Sequence, residues 1–273
     1  MRSDPREVAE ALQIRIHGDA ALPTLVYLPG LHGDWTAVGG FRRALAGRVR
    51  FIEFTYPRTL EWSLDDYAGA VLAALREKGI GGGWLLAESF GSQVGWALLQ
   101  RIQEDQRAGR EAFRPDGLIL AGGFVRHPFM PGVLLAEAGL RGVGPVLVLV
   151  FAWLYGALMA LLACRNPEQR AELREFVRRR TWRDIRAWAW RATLIRRNDP
   201  RPIARAATLP VFYLTGLLEI IVPCGPVWWW LRRNCPGLRE ARMIFSDHAV
   251  LPTTPQKSAR HVARWMGLPA GPD

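Results

Sequence analysis

The sequence predicts an α/β protein with a mostly parallel sheet covered by helices on both faces. Short apolar runs closed by turn residues alternate with longer stretches of helical period, which is the pattern of repeated strand–helix–strand units. Runs such as Val211-Phe212-Tyr213-Leu214 are apolar throughout, as strands buried on both faces are. A chain of 273 residues is long enough for one such unit with an insertion.

In chain order, strands are expected near Leu12–His17, Leu25–Leu28, Val49–Thr55, Trp84–Ala87, Leu118–Ala121, Val211–Leu214 and Ala241–Phe245. Helical periodicity marks Leu64–Lys78, Gly91–Arg107 and Gln256–Met266. Three positions just past strand ends carry reactive side chains, where open parallel sheets place their ligands. The first is Ala87-Glu88-Ser89-Phe90-Gly91, a serine between a strand and a helix with small residues two before and two after it. Such a turn is sharp enough to force the serine into a strained conformation that lifts its hydroxyl clear of the sheet. The second is Glu219, beyond Thr215-Gly216, and the third is His248, after Ser246-Asp247.

The order serine, carboxylate, histidine gives a nucleophile, an orienting acid and a base. Acyl chemistry also requires donors aimed at a developing oxyanion. The backbone N–H of Phe90, after the serine, is one candidate. The N–H of Leu31 is the other, in the loop Pro29-Gly30-Leu31-His32-Gly33 that follows an early strand. His32 itself reads as a loop histidine making a local hydrogen bond.

These motifs resemble the α/β-hydrolase superfamily, and most closely a bacterial serine-hydrolase branch. That branch has a Pro-Gly-Leu loop, a Tyr-Pro after the next strand (Tyr56-Pro57) and an Ala-Glu-Ser-Phe elbow. The likeness covers Leu25 to about Phe124 and Pro210 to about Met266. It implies Ser89 as nucleophile, His248 as base, Glu219 as acid, and Leu31 and Phe90 as oxyanion donors. Glutamate stands where aspartate is more common, and Ala87 stands where the elbow usually begins with glycine. Pro29-Gly30 replaces the His-Gly of many relatives. The implied fold is a mostly parallel α/β-hydrolase sheet, with the core at residues 1–125 and 206–273 and a helical cap at 126–205.

The expected activity is hydrolysis of a carboxylic ester through an acyl-enzyme, on a small-molecule ester with an apolar acyl chain, since the cap is rich in Leu, Val, Trp and Phe. The alternatives are an acyltransferase with the same three residues, or a non-catalytic membrane-associated binder of an apolar ligand. No metal and no organic cofactor is implied. The oligomeric state is left open.

Charge and cysteine usage bound the remaining classes. The net charge of +11 comes from arginine, with Lys78 and Lys257 the only lysines. A GC-rich genome accounts for that skew, and no nucleic-acid motif accompanies it. Cys164, Cys224 and Cys235 form no metal-ligand spacing and read as reduced thiols. The first residues lack a signal peptide, which places the expectation in the cytoplasm, with peripheral contact at the inner membrane face as an option.

The cap has two unlike halves. Gly142–Cys164 carries no charged residue and is long enough to cross a bilayer. A lone span there would put Ser89 and His248 on opposite sides of the membrane, so folded cap helices are expected. Arg165 to Arg205 holds thirteen arginines against five carboxylates. With Trp182, Trp188 and Trp190, this half fits either a solvated face over a packed cap, the favoured reading, or the headgroup region of an anionic membrane. Both readings place its arginines at the surface. In Trp228-Trp229-Trp230, a helix would leave at least one ring outside the core.

Overall fold

The computed structural model describes residues 11–142 and 167–269. Seven strands form one sheet: β1 (Gln13–His17), β2 (Thr24–Leu28), β3 (Arg50–Thr55), β4 (Gly82–Glu88), β5 (Arg114–Ala121), β6 (Val211–Gly216) and β7 (Leu238–Ile244). Their spatial order is β1-β3-β2-β4-β5-β6-β7. Only β1 runs antiparallel, pairing Gln13 with Thr55 and His17 with Phe51; the other pairings are parallel. Strand residues alternate between two cores, as the pleat requires. Val26, Leu28, Leu85, Ala87, Leu118 and Leu120 face one core, while Leu25, Tyr27, Leu86, Ile119 and Ala121 face the other.

Helices α2 (Leu64–Glu77) and α3 (Gly91–Arg107) pack together against the first face. Ser63 caps α2 reciprocally with Asp66, satisfying orphan amides at both positions. On the second face lie α1 (Gly39–Ala44) and, near the C-terminus, α9 (Val250–Thr253) and α10 (Pro255–Trp265). The sequence reading missed α1 and α9. At six and four residues they are too short to display a helical period.

Between β5 and β6 run α4 (Met130–Gly142), α5 (Pro167–Arg178), α6 (Trp182–Arg197) and α7 (Arg201–Ala206), and α8 (Cys224–Asn234) follows β6. Helix α4 packs along α6. Buried Glu137 of α4 accepts from Thr193 at 2.7 Å and from Arg196 at 2.7 Å across that contact. Helix α8 carries the tryptophan triplet, of which Trp229 is 51% exposed. Cys224 and Cys235 are free thiols, and Cys164 lies outside the described residues.

One expectation is corrected here. The arginines of 165–205 do not all lie at the surface, because Arg180 is 6% exposed and Arg191 is 1% exposed. Both find buried hydrogen-bond partners in loops of the sheet domain, which offset the cost of taking a guanidinium out of water. Among the described residues no helix is long and apolar enough to cross a membrane; the uncharged stretch from Val143 to Cys164 lies outside them.

Candidate active site

Ser89 sits at the C-terminal end of β4 with φ +48, the only non-glycine residue with positive φ among those described. A left-handed conformation is costly for a serine and persists only where the surroundings enforce it. Here its N–H donates to Ala121 O at 3.0 Å, and its carbonyl accepts from Ser92 N at 2.9 Å and Ser92 Oγ at 2.6 Å. The hydroxyl of Ser92 in turn accepts from Phe124 N at 3.1 Å. Gly91 is required by crowding, since a Cβ there would meet the Leu28 carbonyl oxygen at 2.2 Å.

The loops after β6 and β7 bring Glu219 and His248 to this serine. His248 Nε2 lies 2.9 Å from Ser89 Oγ, and His248 Nδ1 lies 2.5 Å from Glu219 Oε2. The other carboxylate oxygen accepts from the amides of Ile221 at 2.7 Å and Val222 at 2.9 Å. The Glu219 side chain is fully buried, so both oxygens are fixed by protein donors. Asp247, the neighbouring carboxylate, accepts from Thr253 at 2.9 Å instead. Gly216 permits the approach of the two loops, because a Cβ there would strike Asp247 O at 2.2 Å.

Phe90 follows Ser89 directly, and the loop that carries Leu31 passes close to the serine. Gly30 lies against Ser89, with an added Cβ 3.4 Å from the serine Cβ. Phe90 immediately precedes α3, whose N-terminal amides favour negative charge. Neither the Leu31 nor the Phe90 amide donates to another described residue.

Several residues the sequence reading did not assign surround this core. Glu88 is buried and accepts from the Tyr27 hydroxyl, and its Oε2 lies 3.3 Å from His32 Nε2. On its other side His32 Nδ1 lies 3.3 Å from Asp34 N and 3.4 Å from the Asp34 carboxylate. Burial opposes a charge on His32, but hydrogen bonds to Asp34 and Glu88 outweigh it and raise the pKa above the usual histidine value. Burial likewise pushes Asp34 up, and the His32 hydrogen bond and charge, with Arg180, carry it well below the carboxylate range. Arg180 donates to Asp34 Oδ2 at 2.6 Å and to Thr36 at 2.8 Å.

His127 Nε2 lies 3.2 Å from Ile221 O, and its Nδ1 lies 3.1 Å from Phe129 O and 3.2 Å from Phe129 N, which ties the ring to the Glu219 loop. Burial lowers its pKa, against opposing hydrogen bonds. The sequence offered one usable signal for the arginines: Arg191 shares the apolar face of α6 with Ala187, Trp188 and Ile195 at helical spacing.

Among the described residues no group of His, Cys, Asp and Glu could hold a metal ion. The arrangement offers a hydroxyl hydrogen-bonded to an imidazole, whose other nitrogen is hydrogen-bonded to a fixed carboxylate. That set of contacts can move a proton from oxygen to nitrogen and return it.

No protein-family model matches the sequence, and no curated protein matches it. Solved structures do. The chain is similar to an enol-lactonase from Burkholderia xenovorans LB400, at 17% identity and TM-score 0.74, covering 94% of this chain and 96% of that one. It is similar to the esterase RhEst1 from Rhodococcus sp. ECU1013, at 19% identity and TM-score 0.71, with 95% of each chain covered. It is also similar to an esterase from Exiguobacterium antarcticum, at 15% identity and TM-score 0.74, covering 94% and 95%. With its sheet order, its single antiparallel edge strand and these likenesses, the chain has the α/β-hydrolase fold.

Proposed function

We propose that the protein is a serine hydrolase acting on carboxylic esters with apolar acyl groups. The observation that carries this reading is the placement of His248 between Ser89 Oγ at 2.9 Å and Glu219 Oε2 at 2.5 Å. In this reading His248 takes the Ser89 proton as Oγ attacks the ester carbonyl. The amides of Leu31 and Phe90 hold the oxyanion, and His248 protonates the leaving alcohol. Water, activated by the same imidazole, then releases the acid and regenerates the serine. Glu219 holds the Nδ1–H tautomer and stabilises the imidazolium as it forms.

The esterases and lactonase of like fold support the reaction class, and the apolar residues Leu217, Leu218, Ile220 and Ile221 exposed on the Glu219 loop support an apolar substrate. The test is labelling with a fluorophosphonate probe, followed by a series of p-nitrophenyl esters of increasing chain length. Wild-type protein is expected to take the probe at Ser89 and to hydrolyse the esters, and Ser89→Ala to do neither while remaining folded. Labelling that survives in Ser89→Ala overturns the assignment. Transfer of the acyl group to an added alcohol in preference to water would make the protein an acyltransferase.

A further inference from the structure

Arg191 is 1% exposed, and among the described residues no carboxylate pairs with it. Its partners are all neutral. Nη1 donates to the Leu31 carbonyl at 2.8 Å, Nη2 to the Pro57 carbonyl at 3.1 Å, and Nε to the Tyr67 hydroxyl at 3.4 Å. The guanidinium carbon stands 5.6 Å from the centre of the Tyr56 ring. The loop after β2 is shaped around this group. Gly33, at φ +77, would place a Cβ 2.2 Å from Nη1, so only glycine leaves the guanidinium its space. Gly33 also closes the turn by donating to Gly30 O at 3.0 Å, and its own carbonyl accepts from Tyr56 N at 2.8 Å.

Arg180 provides the contrast. It is equally hidden, yet its charge is matched by Asp34 at 2.6 Å. A buried cation without a counter-ion is expensive, and a fold that needed only packing at position 191 is better served by an apolar side chain. The uncompensated charge lies behind the turn that carries Leu31. There the low dielectric strengthens its field.

We infer that Arg191 is a positioning residue for the oxyanion site: from α6 it fixes the Leu31–His32 peptide so that the Leu31 amide stays aligned with that of Phe90, and it places a positive charge behind them. This rests on the serine-hydrolase reading. Two carbonyls from separate loops are held by one planar fork, which a lysine ammonium cannot reproduce. The transition state gains more than the ground state from donors fixed in advance, so the effect falls on kcat.

The experiment compares wild type, Arg191→Lys and Arg191→Met in steady-state hydrolysis of a p-nitrophenyl ester and in the rate of fluorophosphonate labelling. Activity is normalised to folded protein by circular dichroism and thermal unfolding. For Arg191→Met we expect kcat and the labelling rate to fall about 100-fold with KM within about threefold, the loss typical of a roughly 1 Å misplacement. Arg191→Lys keeps the charge but not the fork, and kcat should fall about tenfold.

A folded Arg191→Met with kcat within twofold of wild type overturns the inference, as does a rise in KM alone. If Arg191→Met does not fold, a folded Arg191→Lys with wild-type kcat overturns it equally. Wild-type protein that takes no probe at Ser89 defeats the hydrolase reading itself, and the inference with it. Labelled wild type with equally labelled variants defeats the inference only.

Discussion

Replacing Glu219 by glutamine changes one atom and reverses the hydrogen-bond logic of the site. Oε1 of Glu219 accepts from Ile221 N at 2.7 Å and Val222 N at 2.9 Å, while Oε2 faces His248 Nδ1 at 2.5 Å. A glutamine amide has one oxygen and one NH2. If the oxygen stays with the two backbone amides, the NH2 donates to Nδ1. The ring proton then moves to Nε2, which can no longer accept from Ser89. The opposite orientation restores the useful tautomer but turns the NH2 against two backbone donors, at about 1–3 kcal/mol for each left unsatisfied. The productive arrangement therefore lies about 2–6 kcal/mol above the unproductive one, and kcat should fall between about 30-fold and 25,000-fold. Thermal stability should change little, because the side chain keeps its shape and its two backbone bonds. The assay is steady-state ester hydrolysis with circular dichroism on the same preparation. A folded variant that loses less than about tenfold refutes the argument that Glu219 sets the imidazole tautomer.

Gly91→Ala would place a carbon 2.2 Å from the Leu28 carbonyl oxygen, roughly 1 Å inside an ordinary carbon–oxygen contact. Strand and helix must part, at about 1–3 kcal/mol, and Ser89 moves with them, so activity should fall about 100-fold; unchanged kcat and melting temperature would show the elbow to be looser than drawn. The His32–Asp34–Arg180 cluster should make stability depend on pH in a defined window. Asp34 is depressed in the folded state, so its contribution is present above about pH 3.9 and lost as pH falls below it; His32 is raised, so its contribution is present below about pH 6.5 and lost as pH rises through its folded value. Asp34→Asn should cost about 1–3 kcal/mol between those limits by removing the nearer of the two carboxylates that face buried Arg180, and should flatten the acid side of a plot of melting temperature against pH. Parallel curves for variant and wild type would exclude the cluster as a source of that dependence.

Where the sequence spoke clearly, the constraint was local and steric. The strands with continuous apolar runs appear within a few residues of where those runs lie, because both faces of the sheet are buried. The serine turn was legible from Ala87, Ser89 and Gly91, since small residues are demanded wherever β4, α3 and the end of β2 crowd together. Glu219 and His248 were picked out by chain order, and His248 lies between Ser89 Oγ at 2.9 Å and Glu219 Oε2 at 2.5 Å. The buried arginines were not, apart from the helical spacing that sets Arg191 on the apolar face of α6. Composition registers the charge of an arginine-rich segment, but says nothing of which guanidinium faces inward. The partners of Arg191 and Arg180 include carbonyl and carboxylate oxygens more than 130 residues away in the chain.

That blind spot bears on what the insertion between β5 and β6 does. Read by composition, it is an apolar covering with a basic exterior, and its influence would fall on substrate binding. Read by contacts, α6 and the turn before it reach the sheet domain at Leu31, Asp34, Thr36, Pro57 and Trp62. All five acceptors lie in the loops that follow β2 and β3. Arg58 adds a bond in the other direction, donating to Asp184 at 2.8 Å, so the contact is held from both sides. A helix held this way cannot swing out as a free lid without breaking buried, charge-assisted hydrogen bonds, which are among the stronger ones a protein makes. Motion of the insertion is therefore constrained at α6, and substitutions on its inward face should be felt in the geometry around Ser89 as well as in the fit of an acyl chain.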